Sequence, residues 1–469
     1  QIRVDGALLP KKTPSRKYSP TEATTIEEFV RKMEAAGMIE KVTGQVLYAA
    51  PLVCVNKNGK TRVVVDFRSL NKAMLQDVCH NPRAEETMAD LYGKKYFSSF
   101  DLTSGFYQIP VHENSMRYTA FMTPLGIFQW RVLPMGLLNS PSAFNKWLED
   151  ALVGLDLTRY VDDVFMGADT EEEHFRQLRA FFERCQAEGI LLKPSKAKIF
   201  SEELYVLGYI LTKDGIRPDP RKTEALKLMK PPSTRKETRT FLGMTGFYRR
   251  FVEGMSSLAK PLYDAVASKK FVWGRIEQLA FEEIVSRLCG DDVMLRYPDP
   301  TRPYYLHVDA SGKGLGAVLM QIDGTEEGHQ QPGVIEYFSR SLAPHERDYG
   351  VSELETLAAV TAIERWHCYL HGQRFTVLSD HKPLLALETT EKPCLKRWRL
   401  RLAPYHFELR WRKGIDYGAP DGLSRDPVGP LRYPCVQSDQ GPRASEAMLS
   451  GRPEGGGTCR SSFRKRIWT

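Results

Sequence analysis

The chain has no Cys-x-x-Cys pair. Its eight cysteines (Cys54, Cys79, Cys185, Cys289, Cys368, Cys394, Cys435 and Cys459) are scattered along the sequence. That pattern argues against a structural zinc site and against a disulfide framework, and the expected compartment is a reducing one. Uninterrupted apolar runs are also missing. None approaches the ~20 residues that a spanning helix needs, so no membrane partner is expected. The first residues, Gln1-Ile2-Arg3-Val4-Asp5, do not form a signal peptide. They lack an initiator Met, and the chain reads as a piece of something longer. No internal repeat is visible.

What is present is a chain of 469 residues, too long for one core, with 42% hydrophobic residues to fill several. The formal charge of +8 is a mild excess that suits an anionic partner, most simply nucleic acid. The most informative stretch is Arg159-Tyr160-Val161-Asp162-Asp163-Val164-Phe165-Met166-Gly167. Short apolar runs of β-formers flank a pair of acids, which reads as a hairpin with the carboxylates at its tip. Two like charges side by side are costly unless cations or hydrogen bonds satisfy them. By itself the pair also fits a solvated Asp-Asp turn.

Residues 1–25 are basic and Pro-containing and read as an extended lead-in. A helix is expected from Thr25 as cap with Glu28 three residues on, lined by Phe29, Met33 and Met38. The segments 50–55 and 61–67 flank Asn56-Lys57-Asn58-Gly59-Lys60 and predict a hairpin with a basic tip, where Lys57 and Arg62 could grip phosphate or simply form a solvated turn. Tyr96–Asp101 reads as a strand ending in an acid, and Gly105 permits a bend before Phe106-Tyr107. Ser140-Pro141 starts a helix, and Glu171–Glu188 predicts an amphipathic one. Leu204–Leu211 reads as a single strand.

From about 213 to 290 the pattern becomes helical, with a capping box at Thr234 and Glu237. Arg249 and Arg250, set among Phe247, Tyr248 and Phe251, suit either a helix that touches a nucleic-acid backbone or a core helix with a basic solvent face. Near 300 a new unit begins. Strands are expected at 304–309, up to 321, 334–339, 375–380 and 407–411, with a helix over Ser352–Leu370 and a short helical segment from Asp421. The order suggests a mixed α/β sheet with helices packed on it. Beyond Asp426, Pro and Gly supply 11 of 43 residues, so 427–469 reads as a disordered basic tail.

Acids therefore recur at predicted strand ends in two sets. Asp101, Asp162 and Asp163 precede residue 170; Asp309, Glu355, Asp380 and Asp421 follow residue 300. Hard oxygen ligands of this kind suit Mg²⁺ or Mn²⁺, and carboxylates sharing two ions are a standard apparatus for phosphoryl chemistry.

Over about residues 20–426 the chain resembles the reverse transcriptase–ribonuclease H section of a Ty3/gypsy-type long-terminal-repeat retrotransposon polyprotein. The resemblance rests on an ordered set of motifs. They are Val63-Val64-Val65-Asp66-Phe67-Arg68-Ser69-Leu70-Asn71-Lys72, Phe100–Ile109, Leu133–Pro141, Tyr160-Val161-Asp162-Asp163, Leu207-Gly208-Tyr209 and Phe241–Phe251. Val308-Asp309-Ala310-Ser311, Glu353–Ala358, Ser379–Leu384 and Asp421–Arg425 follow.

That resemblance implies an α+β chain. A right-hand polymerase fills 26–212 (fingers and palm) and 213–299 (thumb and connection), and an RNase H-like mixed α/β domain fills 300–426. It implies RNA-directed DNA synthesis with hybrid cleavage, both by two-metal phosphoryl transfer with two Mg²⁺ (or Mn²⁺) ions per active site. By matching position, Asp101, Asp162 and Asp163 are the polymerase triad. Lys57 and Arg62 hold the triphosphate, Phe106 is the gate against a ribose 2′-hydroxyl, and Met135 belongs to the nucleotide pocket. Asp309, Glu355, Asp380 and Asp421 match the ribonuclease acids, with Glu353 a near rival of Glu355. Relatives carry a mobile His before the last acid, whereas this chain has Arg410-Trp411-Arg412-Lys413-Gly414 there.

The implied partners are an RNA template, a DNA primer strand, the RNA–DNA hybrid and dNTPs. No zinc knuckle, Asp-Ser/Thr-Gly protease motif or integrase zinc motif occurs in the chain, so protease, integrase and nucleocapsid domains are expected in the parent. The implied location is a cytoplasmic virus-like particle, with a nuclear stage at integration. Two further readings stay open: a decayed or domesticated copy that only binds nucleic acid, and an enzyme with a single activity.

Overall fold

The computed structural model describes residues 1–10, 16–46, 48–57, 60–77, 84–290, 293–323, 331–379 and 392–411. Asp380, Asp421 and the 427–469 tail lie outside the described residues, as do Asn58 and Gly59 at the basic hairpin tip. Of Lys57 only the backbone is described.

The lead-in is not simply extended. Gly6–Leu8 form a 3-10 turn and Val4 bridges Met74. Helix α1 (Pro20–Ala35) starts earlier than the expected Thr25 cap. Ser19 caps it in a reciprocal box with Glu22, and Pro20 supplies the preset first turn. Thr25 instead spends its hydroxyl on the Thr21 carbonyl one turn back. The buried residues of α1 are Ile26 and Val30; Phe29, Met33 and Met38 pack beside them, partly covered.

The chain continues through β1 (Ile39–Lys41), the hairpin β2 (Leu52–Lys57) and β3 (Lys60–Val65), α2 (Arg68–Asn71), α3 (Ala84–Ala89) and β4 (Tyr96–Asp101). Then come α4 (Glu113–Met116), β5 (Phe121–Thr123), β6 (Gly126–Trp130), α5 (Ser140–Ala151), β7 (Thr158–Tyr160), β8 (Asp163–Ala168), α6 (Glu171–Glu188) and β9 (Lys198–Ser201). Strands β1, β6 and β5 form one small sheet, β2 and β3 another. Ile26, Val30, Phe67, Phe121, Phe128 and Trp130 make their shared core. The sheet that matters for function has the order β7-β8-β4-β9.

Period-two alternation sorts the two faces of that sheet. Val164 and Met166 of β8 join Phe144, Leu148, Leu178 and Phe181, so α5 and α6 cover this face. Phe165 of β8 and Phe97 of β4 point to the other face, into a different core. Asp163 shares that second face with Phe165, and Asp101 shares it with Phe97.

The expected strand Leu204–Leu211 is two strands, β10 (Leu204–Val206) and β11 (Tyr209–Leu211), paired antiparallel. Leu207 and Gly208 turn with φ of 50° and 90°, the primed geometry that tight hairpins require. The apolar run continues through the turn, so alternation alone did not reveal the break. Strand β12 (Ile216–Pro218) completes this sheet, and the expected boundary at 212/213 falls in the β11–β12 turn.

Helices α7 (Pro220–Lys227), α8 (Arg235–Phe247), α9 (Met255–Ala267) and α10 (Arg275–Leu288) follow. Thr234 and Glu237 close a capping box on α8. Phe241, Leu262, Phe281 and Ile284 share one core with Phe97, Phe165 and Tyr209, which welds the helical segment to the sheet.

Strands β13 (Tyr304–Ala310), β14 (Gly314–Asp323) and β15 (Gln331–Ser341) form an antiparallel meander. Helices α11 (Val351–Arg365) and α12 (His367–Leu370) come next, then β16 (Arg374–Ser379), α13 (Pro393–Leu402) and β17 (His406–Trp411). The five-stranded order is β15-β14-β13-β16-β17, with β13, β16 and β17 parallel. The helix expected over 352–370 breaks at Trp366, whose ring is 1% exposed in the core.

Arg249 and Arg250 are corrected in partner. Arg250 is buried and faces Glu336 of β15 at 3.7 Å. Arg249 donates to the Ser339 carbonyl. Both arginines hold the helical segment to the last sheet; Arg250 is buried there, whereas Arg249 stays exposed.

Candidate active site

Register places the first set of acids. In the antiparallel β4–β8 pair, Asp101 lies directly opposite Asp163, and Tyr160 of β7 lies opposite the same Asp163. Directly opposed residues point to one face with their Cβ atoms about 5 Å apart, and like charges there are destabilising. Asp162 sits in the two-residue turn between β7 and β8, and its carbonyl accepts the Leu102 N–H at 3.2 Å. Asp101, Asp162 and Asp163 thus lie close together at one end of the sheet, with Asp101 and Asp163 on the face opposite α5 and α6.

The turn is strained. Val161 has φ of +55°, a left-handed conformation that a β-branched residue rarely adopts. Burial pushes the Asp163 carboxyl up to about 6, and the negative charges of Asp162 and Asp101 add to the shift, while Lys196 opposes it. Lys196 is a residue that the sequence reading missed. Its Nζ donates to Asp101 Oδ2 at 2.5 Å, and this hydrogen bond raises its own pKa. The available signal was the basic run Lys193–Lys198, which carries no marker of a partner 95 residues away.

Phe106 lies in the 3-10 turn Gly105–Gln108 just beyond Asp101. Its ring centroid is 5.0 Å from that of Phe144. Gly105 is needed for this approach, because a Cβ there would meet the Phe144 ring at 2.9 Å. Arg62 is exposed on β3, and Met135 is 52% exposed in the 133–139 loop; both stand on elements separate from the acid-bearing sheet. Asn71, another residue not singled out, clamps that loop. Its amide donates to Gly136 O and its carbonyl oxygen accepts the Leu138 N–H, both at 2.9 Å.

The second set begins at the end of β13. Asp309 is 3% exposed. Glu355 of α11 is equally buried, and its Oε1 accepts the N–H of Ala310 at 3.1 Å. These two carboxylates therefore converge at one strand end. Glu353 is engaged elsewhere: it accepts the Gly350 N–H at 2.8 Å and pairs with Lys392 at 3.4 Å. Ser379, the last residue of β16, precedes Asp380, which with Asp421 lies outside the described residues.

Both sets consist of hard oxygen donors, the chemistry that suits Mg²⁺ or Mn²⁺. Crowded carboxylates that raise one another's pKa, as at Asp163, fit a site that gains a cation. Among the described residues, no three His, Cys, Asp or Glu side chains are yet gathered around one point as ion ligands. Asp101 is instead turned to Lys196.

Two family models match. Residues 55–211 match "Reverse transcriptase (RNA-dependent DNA polymerase)" and residues 299–405 match "RNase H-like domain found in reverse transcriptase". The chain is 33% identical over 426 residues to the retrovirus-related Pol polyprotein from transposon 297 of Drosophila melanogaster, covering 88% of this chain and 39% of that one. It is 30% identical over 445 residues to the corresponding polyprotein from transposon gypsy of the same fly, covering 90% of this chain and 42% of that one. The chain thus spans about two fifths of the length of these curated relatives. A solved foamy viral protease-reverse transcriptase, in complex with double-stranded DNA, superposes with a TM-score of 0.75 at 26% identity, covering 85% of this chain and 71% of that one.

Proposed function

The chain belongs to the reverse transcriptases of Ty3/gypsy-type retrotransposon polyproteins that carry an RNase H-like domain, and on that premise we propose that it copies RNA into DNA and cleaves the RNA strand of the resulting hybrid. The observation that carries the first activity is the cross-strand pairing of Asp101 with Asp163 beside Asp162. Opposing two carboxylates across a strand pair is destabilising in itself. Such an arrangement makes sense where a polyphosphate and its cations are handled.

In this reading Asp101, Asp162 and Asp163 hold Mg²⁺ or Mn²⁺, two ions per site, as Asp309, Glu355, Asp380 and Asp421 do in the second unit; the ions supply Lewis acidity to the attacking and leaving oxygens. The primer 3′-hydroxyl attacks the α-phosphate of the incoming dNTP, and pyrophosphate leaves. Lys57 and Arg62 steady the triphosphate from the β2–β3 hairpin. Phe106, buttressed by Phe144, denies space to a ribose 2′-hydroxyl. Met135 borders the nucleotide by position. In the second unit the acids orient a water against the RNA phosphodiester.

The partners are an RNA template, a DNA primer, the hybrid and dNTPs. The parent polyprotein adds protease, nucleocapsid and integrase domains, and the work takes place in a cytoplasmic virus-like particle with a nuclear stage at integration.

The test is Mg²⁺-dependent dTTP incorporation on an oligo(dT)-primed poly(rA) template. Incorporation that Asp162→Ala abolishes supports the reading and locates the site. No incorporation by folded wild-type protein favours a copy that has lost catalysis.

A further inference from the structure

Nothing in the proposed activity accounts for the position of Lys196. It ends the 3-10 turn Pro194–Lys196, immediately before β9. The segment leading to that turn is fastened beneath β4 and its continuation. Lys193 N–H donates to Asp101 O at 2.9 Å, and Thr103 N–H donates to Leu191 O at 2.8 Å. The Gln108 amide donates to Thr103 O and Leu191 O, and its oxygen accepts the Leu191 N–H. This backbone anchoring delivers the ammonium to Asp101 Oδ2. The Asp101 side chain is only 15% exposed, whereas that of Lys196 is 54% exposed and has water to retreat into.

We propose that Lys196 is an internal counter-ion of the acid cluster, holding the Asp101 carboxylate until a divalent cation displaces it. Metal entry and ammonium departure are then a single exchange. The inference rests on the polymerase reading above and extends it to the metal-free state. Its basis is competition for one group: a divalent ion needs the Asp101 oxygens at about 2 Å and repels a cation already hydrogen-bonded there. Without the ammonium, three carboxylates would face one another uncompensated, and the strand ends would repel. With it, the site stays assembled but resists binding any cation weakly held.

The probe is Mn²⁺, titrated into the full chain and followed by the electron paramagnetic resonance of the free ion. An Asp309→Asn background suppresses the second acid set. Lys196→Gln is expected to tighten Mn²⁺ binding about tenfold, the effect of one lost charge-assisted hydrogen bond, while Lys196→Arg keeps wild-type affinity. Equal or weaker affinity in Lys196→Gln overturns the proposal. If Asp101→Asn and Asp162→Asn leave Mn²⁺ binding intact, the polymerase site reading fails instead.

Acylation of the Lys196 amine, read by mass spectrometry, needs no variant at that position. Labelling should rise when Mn²⁺ is added to the wild type and should be high without Mn²⁺ in Asp101→Asn. Labelling that ignores Mn²⁺ overturns the exchange.

Discussion

Arg250 and Glu336 face each other at 3.7 Å across the junction between the helical segment and the RNase H-like sheet, and both are buried. Glu336 also takes a hydrogen bond from Arg365 of α11 at 2.9 Å. Ser256 N–H donates to Ser339 Oγ at 2.9 Å on the same edge. The last domain is thus tied to the helical segment by buried charge.

Breaking that tie should be costly. Glu336→Ala strands Arg250 in the interior, and removing one partner of a buried pair costs about 3–5 kcal/mol. The denaturation midpoint should fall accordingly. Replacing both members, as in Glu336→Leu with Arg250→Met, should recover most of the loss. On a hybrid substrate the single variant should broaden the distribution of RNA cleavage positions relative to the primer end. An unchanged midpoint and an unchanged distribution together would show that the pair does not couple the domains.

The two acid sets should be separable. Asp162→Asn is expected to reduce synthesis by a thousandfold or so, a typical effect of removing a group that stabilises developing charge, while leaving hybrid cleavage near wild type. Asp309→Asn should do the reverse. Parallel assays of both variants check this, and loss of both activities in either one would mean that the sites are not independent.

Val161 bears a left-handed φ of +55° at the acid-bearing turn. Glycine tolerates that conformation, whereas an L-residue is penalised by about 1–2 kcal/mol there. Val161→Gly should therefore stabilise the fold by up to about 1 kcal/mol after the entropy of glycine is subtracted. A freer turn positions Asp162 less firmly, so the rate of synthesis should fall. Urea midpoints and single-turnover incorporation measure the two effects, and a fall in both would reject the idea of stored strain.

Glu253 makes folding depend on pH. It is buried next to α9, and burial raises its pKa from 4.5 to about 7 against the opposing charge of Arg287. The folded state therefore binds the proton more tightly than the unfolded chain. Its contribution is fully present below pH ~4.5 and is lost as pH rises through about 7, up to about 3 kcal/mol in all. Glu253→Gln, which keeps the shape without the charge, should gain stability over wild type at pH 8 and show little difference at pH 4. Equal gains at both values would contradict the linkage.

The polar pattern was readable wherever neighbours in sequence are neighbours in space. The β7–β8 hairpin follows from apolar runs around Asp162-Asp163, α6 runs over Glu171–Glu188 as its periodicity predicts, and Thr234 caps α8 through Glu237 three residues on. Where two local solutions competed, the sequence was ambiguous: Ser19 with Pro20 won the start of α1 over Thr25, and Leu207-Gly208 folded one apparent strand into two.

By itself, then, the order of residues determined the domain types, the strand ends that carry acids and the motifs that align with a known family. These depend on spacings of two to four residues, set by backbone geometry. Only the tertiary structure decided which acids meet. The register of β4 on β8 puts Asp101 opposite Asp163, the packing of α11 turns Glu355 rather than Glu353 toward the Asp309 strand end, and a loop 95 residues distant brings Lys196 to Asp101. It also buried Arg250 against Glu336 of β15 and gave the exposed Arg249 a backbone partner on the same strand. Such pairings arise because burying the apolar faces of the sheets fixes their polar ends relative to one another, and that energy belongs to the whole fold rather than to any segment of it.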